Sequence, residues 1–287
     1  AMKTRKMATN ANKQVSVSTT ADRWMLSRLQ YHIGKATEAM DRLAVRKAIH
    51  SALYELDQDF QWYQRRIAND GKHPGREAVA AMVSGEVVDA QVRMLAPVIP
   101  HICEEIWENT GGKGFVSVAT WPTPDETKID VSAEENEALI RNMLEDTRNI
   151  FKATGITPKK VCYYTSALWK WRVFLEALRT SISTKIVQSE LMKRVMKEAD
   201  LKKKAKHVAK YVDQVIDEIN QMPSEKKQRQ SEIGIINENE ALKAAEAFFR
   251  REFDTEICIY SEEDPNCYDP KKRAQLAKPY RPAIYIE

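Results

Sequence analysis

No stretch of this 287-residue sequence approaches the roughly 20 consecutive apolar residues that a membrane-spanning helix requires. The opening "AMKTRKMATN" carries basic side chains with no apolar core behind them, which excludes a secretory signal. Cysteine is scarce: Cys103, Cys162, Cys258 and Cys267 lie far apart and form no C-x-x-C pair. That spacing offers neither a disulfide framework nor a zinc site, and it points to reduced thiols in a cytoplasmic chain. No internal repeat is apparent. Paired carboxylates and nucleophile–base sets that would support independent catalysis are missing as well. Neither sign of charge dominates, because the formal balance is only +4, so an anionic partner must be met by local patches.

What is present suits a soluble globular chain, with 43% apolar and 30% charged residues over a length sufficient for two domains. Residues 1–18 are polar, basic and without period, and read as a flexible segment. Thr19-x-x-Asp22 resembles a capping box, and the helix it opens carries Leu26, Leu29, Ile33, Ala36, Met40 and Leu43 at helical spacing. A second stripe runs Ile49, Leu53, Leu56, Phe60, Tyr63, Ile67 and stops at the breaker "NDGKHPG". A third holds Val83, Val87, Ala90 and Met94, and a short helix follows in "HICEEIWEN" before Gly111-Gly112. Together they read as an up-and-down bundle. Beyond "TWPTPDE" the pattern changes. Residues 134–153 form another amphipathic helix, and "KKVCYYT" reads as a strand. Helices are predicted near 166–180, 184–198, 200–221 and 238–251, with "PSEKKQRQSE" as a polar linker before the last. Strands "EICIYSE" and "PAIYIE" complete a small α/β unit.

The stretch Tyr31-His-Ile-Gly-Lys35 shares three letters with His-Ile-Gly-His, the nucleotide-binding signature of class I aminoacyl-tRNA synthetases. That signature needs a preceding strand and a helix N-terminus, where backbone N–H groups meet phosphates. Here Ile33 belongs to a helical stripe, Lys35 replaces the second histidine, and no Lys-Met-Ser-Lys-Ser loop follows. The match is accidental, and ATP does not bind through it.

Other segments resemble the same superfamily. "ADRWMLSRL" (21–29), "LAPVIPHICEEIWENTGG" (95–112) and "FVSVATWPTPDE" (115–126) resemble, in order and spacing, the anticodon-binding helix bundle of class Ia synthetases. "YYTSALWKWRV" (163–173) and "EEDPNCYDPKKRAQLAKPYRPAIYIE" (262–287) look like the C-terminal domain of leucyl-tRNA synthetases of the archaeal and eukaryotic-cytosolic type. The resemblance implies a mainly α fold: an anticodon-binding bundle over 19–130, followed by a small α/β C-terminal domain over 131–287. It further implies tRNA(Leu) and the remainder of the synthetase, in cis or in trans, as partners of a cytoplasmic monomer. By the same resemblance the bundle docks on the tRNA body and the C-terminal domain reaches the long variable arm. No cofactor or metal is expected in this chain, and no catalytic residue, because the resemblance implies that ATP and leucine are bound by a catalytic domain, with its editing insertion, that this chain lacks. Two other readings remain open at this point: a free-standing tRNA-binding subunit or paralogue, and a protein-interaction scaffold of a synthetase complex.

Candidate RNA contacts follow from charge and aromatic placement. Trp169 and Trp171 read as core, with stacking of one of them on a nucleotide as the alternative; Lys170 and Arg172 beside them are placed to hold phosphate. Residues 193–210 hold eight basic residues against Glu198 and Asp200, a local balance of +6 that suits a phosphate backbone. Lys202, Lys203, Lys204 and Lys206 lie in this run, as does His207, a surface or RNA-side histidine rather than a metal ligand. His101 and Glu104-Glu105 raise a metal or acid–base site, but their place in the bundle motif implies, by the resemblance, an N-terminal helix turn where acids complement the dipole. In the tail, Lys271, Lys272, Arg273, Lys278 and Arg281 approach phosphate, and Tyr280 offers a stacking face. Ile284 and Ile286 are expected to pack, while Tyr285 and Glu287 face out toward splayed bases of the variable arm.

Overall fold

Helix α1, Thr20–Asp41, starts at the expected capping box: Asp22 N donates to Thr19 Oγ1 at 3.4 Å, and Thr19 N donates to Asp22 Oδ2 at 2.7 Å. In the computed structural model, which describes residues 18–68, 74–184 and 186–287, the chain divides into two units between Glu137 and Ala138. The proposed flexible segment, apart from Ser18, and most of the "NDGKHPG" breaker lie outside the described residues.

In the first unit, Leu29, Ile33 and Ala36 of the α1 stripe are buried and Leu26 and Met40 half-buried, while Met25, outside the stripe, is fully buried. Leu43 is not part of it. The helix has ended by Asp41, and Leu43 sits at φ 54° with 86% of its surface exposed. The second stripe forms α2, Val45–Ile49, and α3, Leu56–Ile67, joined by a π-helical turn over His50–Glu55. Helices α4, Pro74–Leu95, and α5, Pro100–Asn109, follow; Val83, Val87, Ala90 and Met94 of α4 are buried in the same core.

Two buried ion pairs set which helix meets which. Arg76 of α4 donates to both Asp22 oxygens at 2.7 and 2.9 Å, and Tyr63 of α3 donates to Asp22 Oδ1 at 2.7 Å. Arg66 and Trp62 of α3 both donate to the fully buried Glu137, at 2.6 and 2.7 Å. Removing one partner of such a pair strands a charge in the core, at roughly 3–5 kcal/mol. His32 of "YHIGK" lies mid-helix as predicted and is fully buried, its ring nitrogens 3.1 Å from Ser51 Oγ and 3.1 Å from Asp59 Oδ2. It ties α1 to the π-turn and to α3. Glu104 departs from expectation. The first turn of α5 holds no acid; Glu104 instead accepts from Val116 N at 2.8 Å and Ser117 N at 3.1 Å, fixing the loop that leaves the helix.

The second unit is built on a three-stranded sheet in the order β2-β1-β3. The strands are β1, Lys160–Thr165, β2, Glu256–Ser261, and β3, Ala283–Ile286; β2 runs parallel and β3 antiparallel to β1. The central strand is covered on both faces. Tyr163 packs on Phe249 and shares a 2.9 Å hydrogen bond with Thr147, while Cys162 and Tyr164 sit beneath the C-terminal loop with Ala274 and Ala277.

Around this sheet run α6, Val131–Thr154, α7, Leu168–Ser183, α8, Gln188–Val195, α9, Ala199–Lys203, α10, Ala205–Asn220, α11, Ser224–Ile233, α12, Glu238–Ala244, and α13, Glu246–Phe253. Three sequence expectations are corrected here. The helix expected over 200–221 is two, broken at Lys204, and the one over 238–251 is broken at Ala245. "PSEKKQRQSE" is not a linker. Its Glu, Lys, Gln and Arg residues are strong helix formers, Pro223 stands at the N-cap, and Gly234 at φ 75° ends the helix.

Candidate nucleic-acid interface

The candidate surface lies within the second unit, where α7, α10 and the C-terminal loop enclose a groove of about 690 Å³. The polar face of α10 forms one wall: His207, Lys210, Gln214, Asp217 and Gln221 recur at three- and four-residue spacing. Its opposite face, Val208, Val212, Val215 and Ile219, is buried in the apolar core, and Tyr211 stands at the boundary between the two. Trp169 of α7 is half-buried and meets Tyr211 edge-on at 5.4 Å, and both rings line the groove. Lys278 and Arg281 come in from the loop, so the basic helix and the basic tail, far apart in sequence, meet here. Acids are present too, in Asp217, Glu218 and Glu262.

Each sequence-predicted contact has a definite setting. Lys170 is 4% exposed, and its ammonium donates to Gln275 O at 2.8 Å, Ala277 O at 2.7 Å and Glu262 Oε2 at 2.8 Å. Burial lowers its pKa, against the opposing pull of Glu262. All three donors are satisfied by the fold, so Lys170 staples the loop to α7 and is not free for phosphate. Trp171 is buried, in agreement with the core reading. Arg172 is exposed and pairs with Glu198 at 2.9 Å. Lys204 pairs with Glu263 at 2.7 Å and sits 5.9 Å from the Trp169 ring, whereas Lys203 only approaches Asp200 at 4.0 Å. Lys202 and Lys206 are exposed with no carboxylate partner among the described residues; so are Lys210, Lys271, Lys272, Arg273 and Arg281. Lys278 is half-buried and contacts Glu218 at 3.3 Å.

The tail is more structural than its sequence suggested. Tyr280 does not offer an open stacking face. Its ring packs at 5.0 Å on Trp171 and 6.0 Å on Phe174, and its backbone, held at φ 62°, donates to Glu238 Oε1 at 2.7 Å. Tyr285 does not face out either: it packs with Cys162 and Tyr164 and meets Tyr268 at 6.4 Å. Glu287 is exposed, but its carbonyl already accepts from Lys159 N at 2.6 Å and Lys160 N at 3.0 Å, and its carboxylate accepts from Tyr268 at 2.8 Å.

Several participants had escaped sequence reasoning. Tyr211 was hidden among core residues, although the three/four spacing of 207, 210, 214, 217 and 221 marks the groove face of its helix. Glu238 gave no signal. It is 2% exposed, accepts from Ser166 N and Ser166 Oγ at 3.2 Å each, and so joins the end of β1 to the loop at Tyr280. Burial pushes its carboxyl up to about 7. Among the described residues no group of His, Cys, Asp or Glu side chains is placed to hold a metal ion. No described helix is long and apolar enough to cross a membrane.

Comparison with known proteins places this architecture. The family model described as the anticodon-binding domain of tRNA ligase matches residues 22–164, which span the bundle, α6 and most of β1. Within those bounds the chain carries a segment similar to the anticodon-binding domain of tRNA ligases. Its similarity to individual proteins runs further along the sequence. It is 37% identical over 268 residues to the leucine–tRNA ligase of Methanococcoides burtonii, covering 93% of this chain and 26% of that protein. The leucine–tRNA ligases of Methanothrix thermoacetophila and Pyrococcus horikoshii are each 36% identical, over 94% and 93% of this chain. The chain thus spans about a quarter of the length of these relatives. The leucyl-type resemblance read from residues 163–173 and 262–287 agrees with them. The groove is formed by helices and a loop beyond the family match.

Proposed function

We propose that this chain is the tRNA-binding portion of a leucine–tRNA ligase, with tRNA(Leu) as its RNA partner in the cytoplasm. The bundle docks on the tRNA body, and the groove face of the second unit meets the backbone near the long variable arm. Attachment of leucine to the tRNA requires ATP and leucine sites that we assign to the remainder of such an enzyme. The contribution of this chain is grip: phosphate contacts fix register and orientation, which positions the acceptor end for reaction elsewhere.

The observation that carries the proposal is the groove itself. Lys210, Lys278 and Arg281 line it with the His207 ring and beside the Trp169 and Tyr211 rings, which combines cations for phosphate with aromatic walls for bases. Filter binding of the 287-residue chain to tRNA(Leu), tRNA(Ser) and heparin tests it. The expected result is preference for tRNA(Leu), with Lys210→Gln/Arg281→Gln lowering that affinity by roughly tenfold. Equal affinity for all three polyanions would remove tRNA selection from this chain and favour an acidic protein partner. Pyrophosphate exchange with leucine and ATP is expected at background.

A further inference from the structure

Three of the four cysteines, scattered in sequence, meet in the second unit. Cys162 on β1 and Cys258 on β2 are direct partners in parallel register, and both pack with Cys267 in the cluster beneath the C-terminal loop. In-register residues on paired strands point their side chains to the same face, with strands about 4.8 Å apart, inside the Cα separation a disulfide spans. The two thiols therefore lie side by side on adjacent strands of one face.

Their environments divide the work between them. Cys162 is fully buried, and burial raises its pKa to about 11, so it is not the group that meets an oxidant in solvent. Cys258 is half-buried and donates to Glu256 Oε1 at 3.4 Å. The Lys160 ammonium stands beside the Cys258 sulfur, whose proximity is the largest influence raising the Lys160 pKa, and pairs with Glu256 at 3.4 Å. A reachable thiol beside a lysine, with a second thiol in register on the neighbouring strand, has the parts of a peroxide-responsive pair.

We propose that Cys258 and Cys162 form a reversible oxidation site for hydroperoxides, with Cys258 reacting first and Cys162 resolving it. The Cys258 proton passes to solvent. The thiolate attacks one peroxide oxygen, the O–O bond breaks, and the leaving hydroxide is protonated to water, leaving a sulfenic acid. The Cys162 sulfur then attacks the Cys258 sulfur. The S–O bond breaks, and hydroxide leaves with the Cys162 proton as a second water. Two thiols are oxidised to one disulfide while one peroxide is reduced to two waters, and a thiol reductant reverses the change. The bond staples β1 to β2 on the side of β1 away from β3, whose Tyr285 is the other register partner of Cys162.

The reduced 287-residue chain treated with hydrogen peroxide and mapped by mass spectrometry tests this directly. The expected product is a Cys162–Cys258 linked peptide, two hydrogens lighter than the sum of its parts and restored by dithiothreitol. Before oxidation, Cys258 is expected to alkylate at least roughly tenfold faster than buried Cys103. In Cys162→Ser the sulfenic acid persists and is trapped at Cys258 by dimedone. A Cys258–Cys267 bond, or four thiols recovered intact under conditions that oxidise free cysteine, overturns the proposal. Since the wild-type map alone decides between these outcomes, a misfolded variant does not obscure the result.

Discussion

At the start of α12, the carboxyl of Glu238 is 2% exposed and accepts hydrogen bonds from Ser166 N, Ser166 Oγ and Tyr280 N. Burial outweighs those donors and lifts its pKa to about 7, above the roughly 4.3 of an unfolded glutamate. The folded chain therefore holds a proton that the unfolded chain has already released. Stability from this group is fully present below about pH 4.3 and is lost as pH rises toward 7, a cost on the order of 3 kcal/mol. Urea midpoints of the wild type should fall between pH 5 and pH 8, and Glu238→Gln should flatten that slope; an equal slope in the variant would assign the dependence to other groups. Lys170 makes a related point about charge. In the sequence it is indistinguishable from Arg172 two positions later, yet one is sealed under the loop and the other lies in solvent. Sequence reports that a residue is charged; its partners, which decide whether the charge is available, lie about a hundred residues away at 262, 275 and 277.

Among the elements, α10 was the most legible. Leu201, Ala205, Val208, Val212, Val215 and Ile219 recur at helical spacing over 200–221, and all but the exposed Ala205 are buried. The break at Lys204 was not legible, since no glycine or proline marks it. Helix α11 was misread for the opposite reason. It carries almost no apolar face, with Gln230 its only buried residue, so periodicity was silent and only helix propensity spoke. The free cations on α9 and α10 lead to a prediction for the salt dependence of binding. Lys202, Lys206 and Lys210 recur every four residues without carboxylate partners among the described residues, while Lys204 is held by Glu263. Replacing those three by glutamine should lower the log–log salt slope of tRNA binding by roughly two to three units, alike for all tRNAs. Lys204→Gln alone should change it little, because its charge is already compensated. A slope unchanged by the triple replacement would leave this face to solvent or to a protein.

Across the whole molecule, the C-terminal strand constrains how recognition can be dissected. β3 pairs with the central strand over Val161–Tyr164, and Glu287 N donates to Lys160 O at 2.9 Å. Removing residues 283–287 should therefore lower the melting temperature of the second unit and weaken binding to tRNA(Leu) and to an arm-trimmed variant alike. Arg281→Ala, at an exposed side chain, should keep the fold and lower affinity only; a stable truncation with selective loss for the intact arm would instead show that the strand itself reads the RNA. The sequence by itself determined the helical bundle, the strands and the family resemblance, because periodicity, capping and turn chemistry act over a few neighbouring residues. Only the tertiary structure decided which cations are free, that Tyr280 and Tyr285 pack inward, and that Cys162 meets Cys258. Those outcomes depend on strand register and on loops closing over the sheet, which bring together side chains whose spacing along the chain carries no trace of the contact.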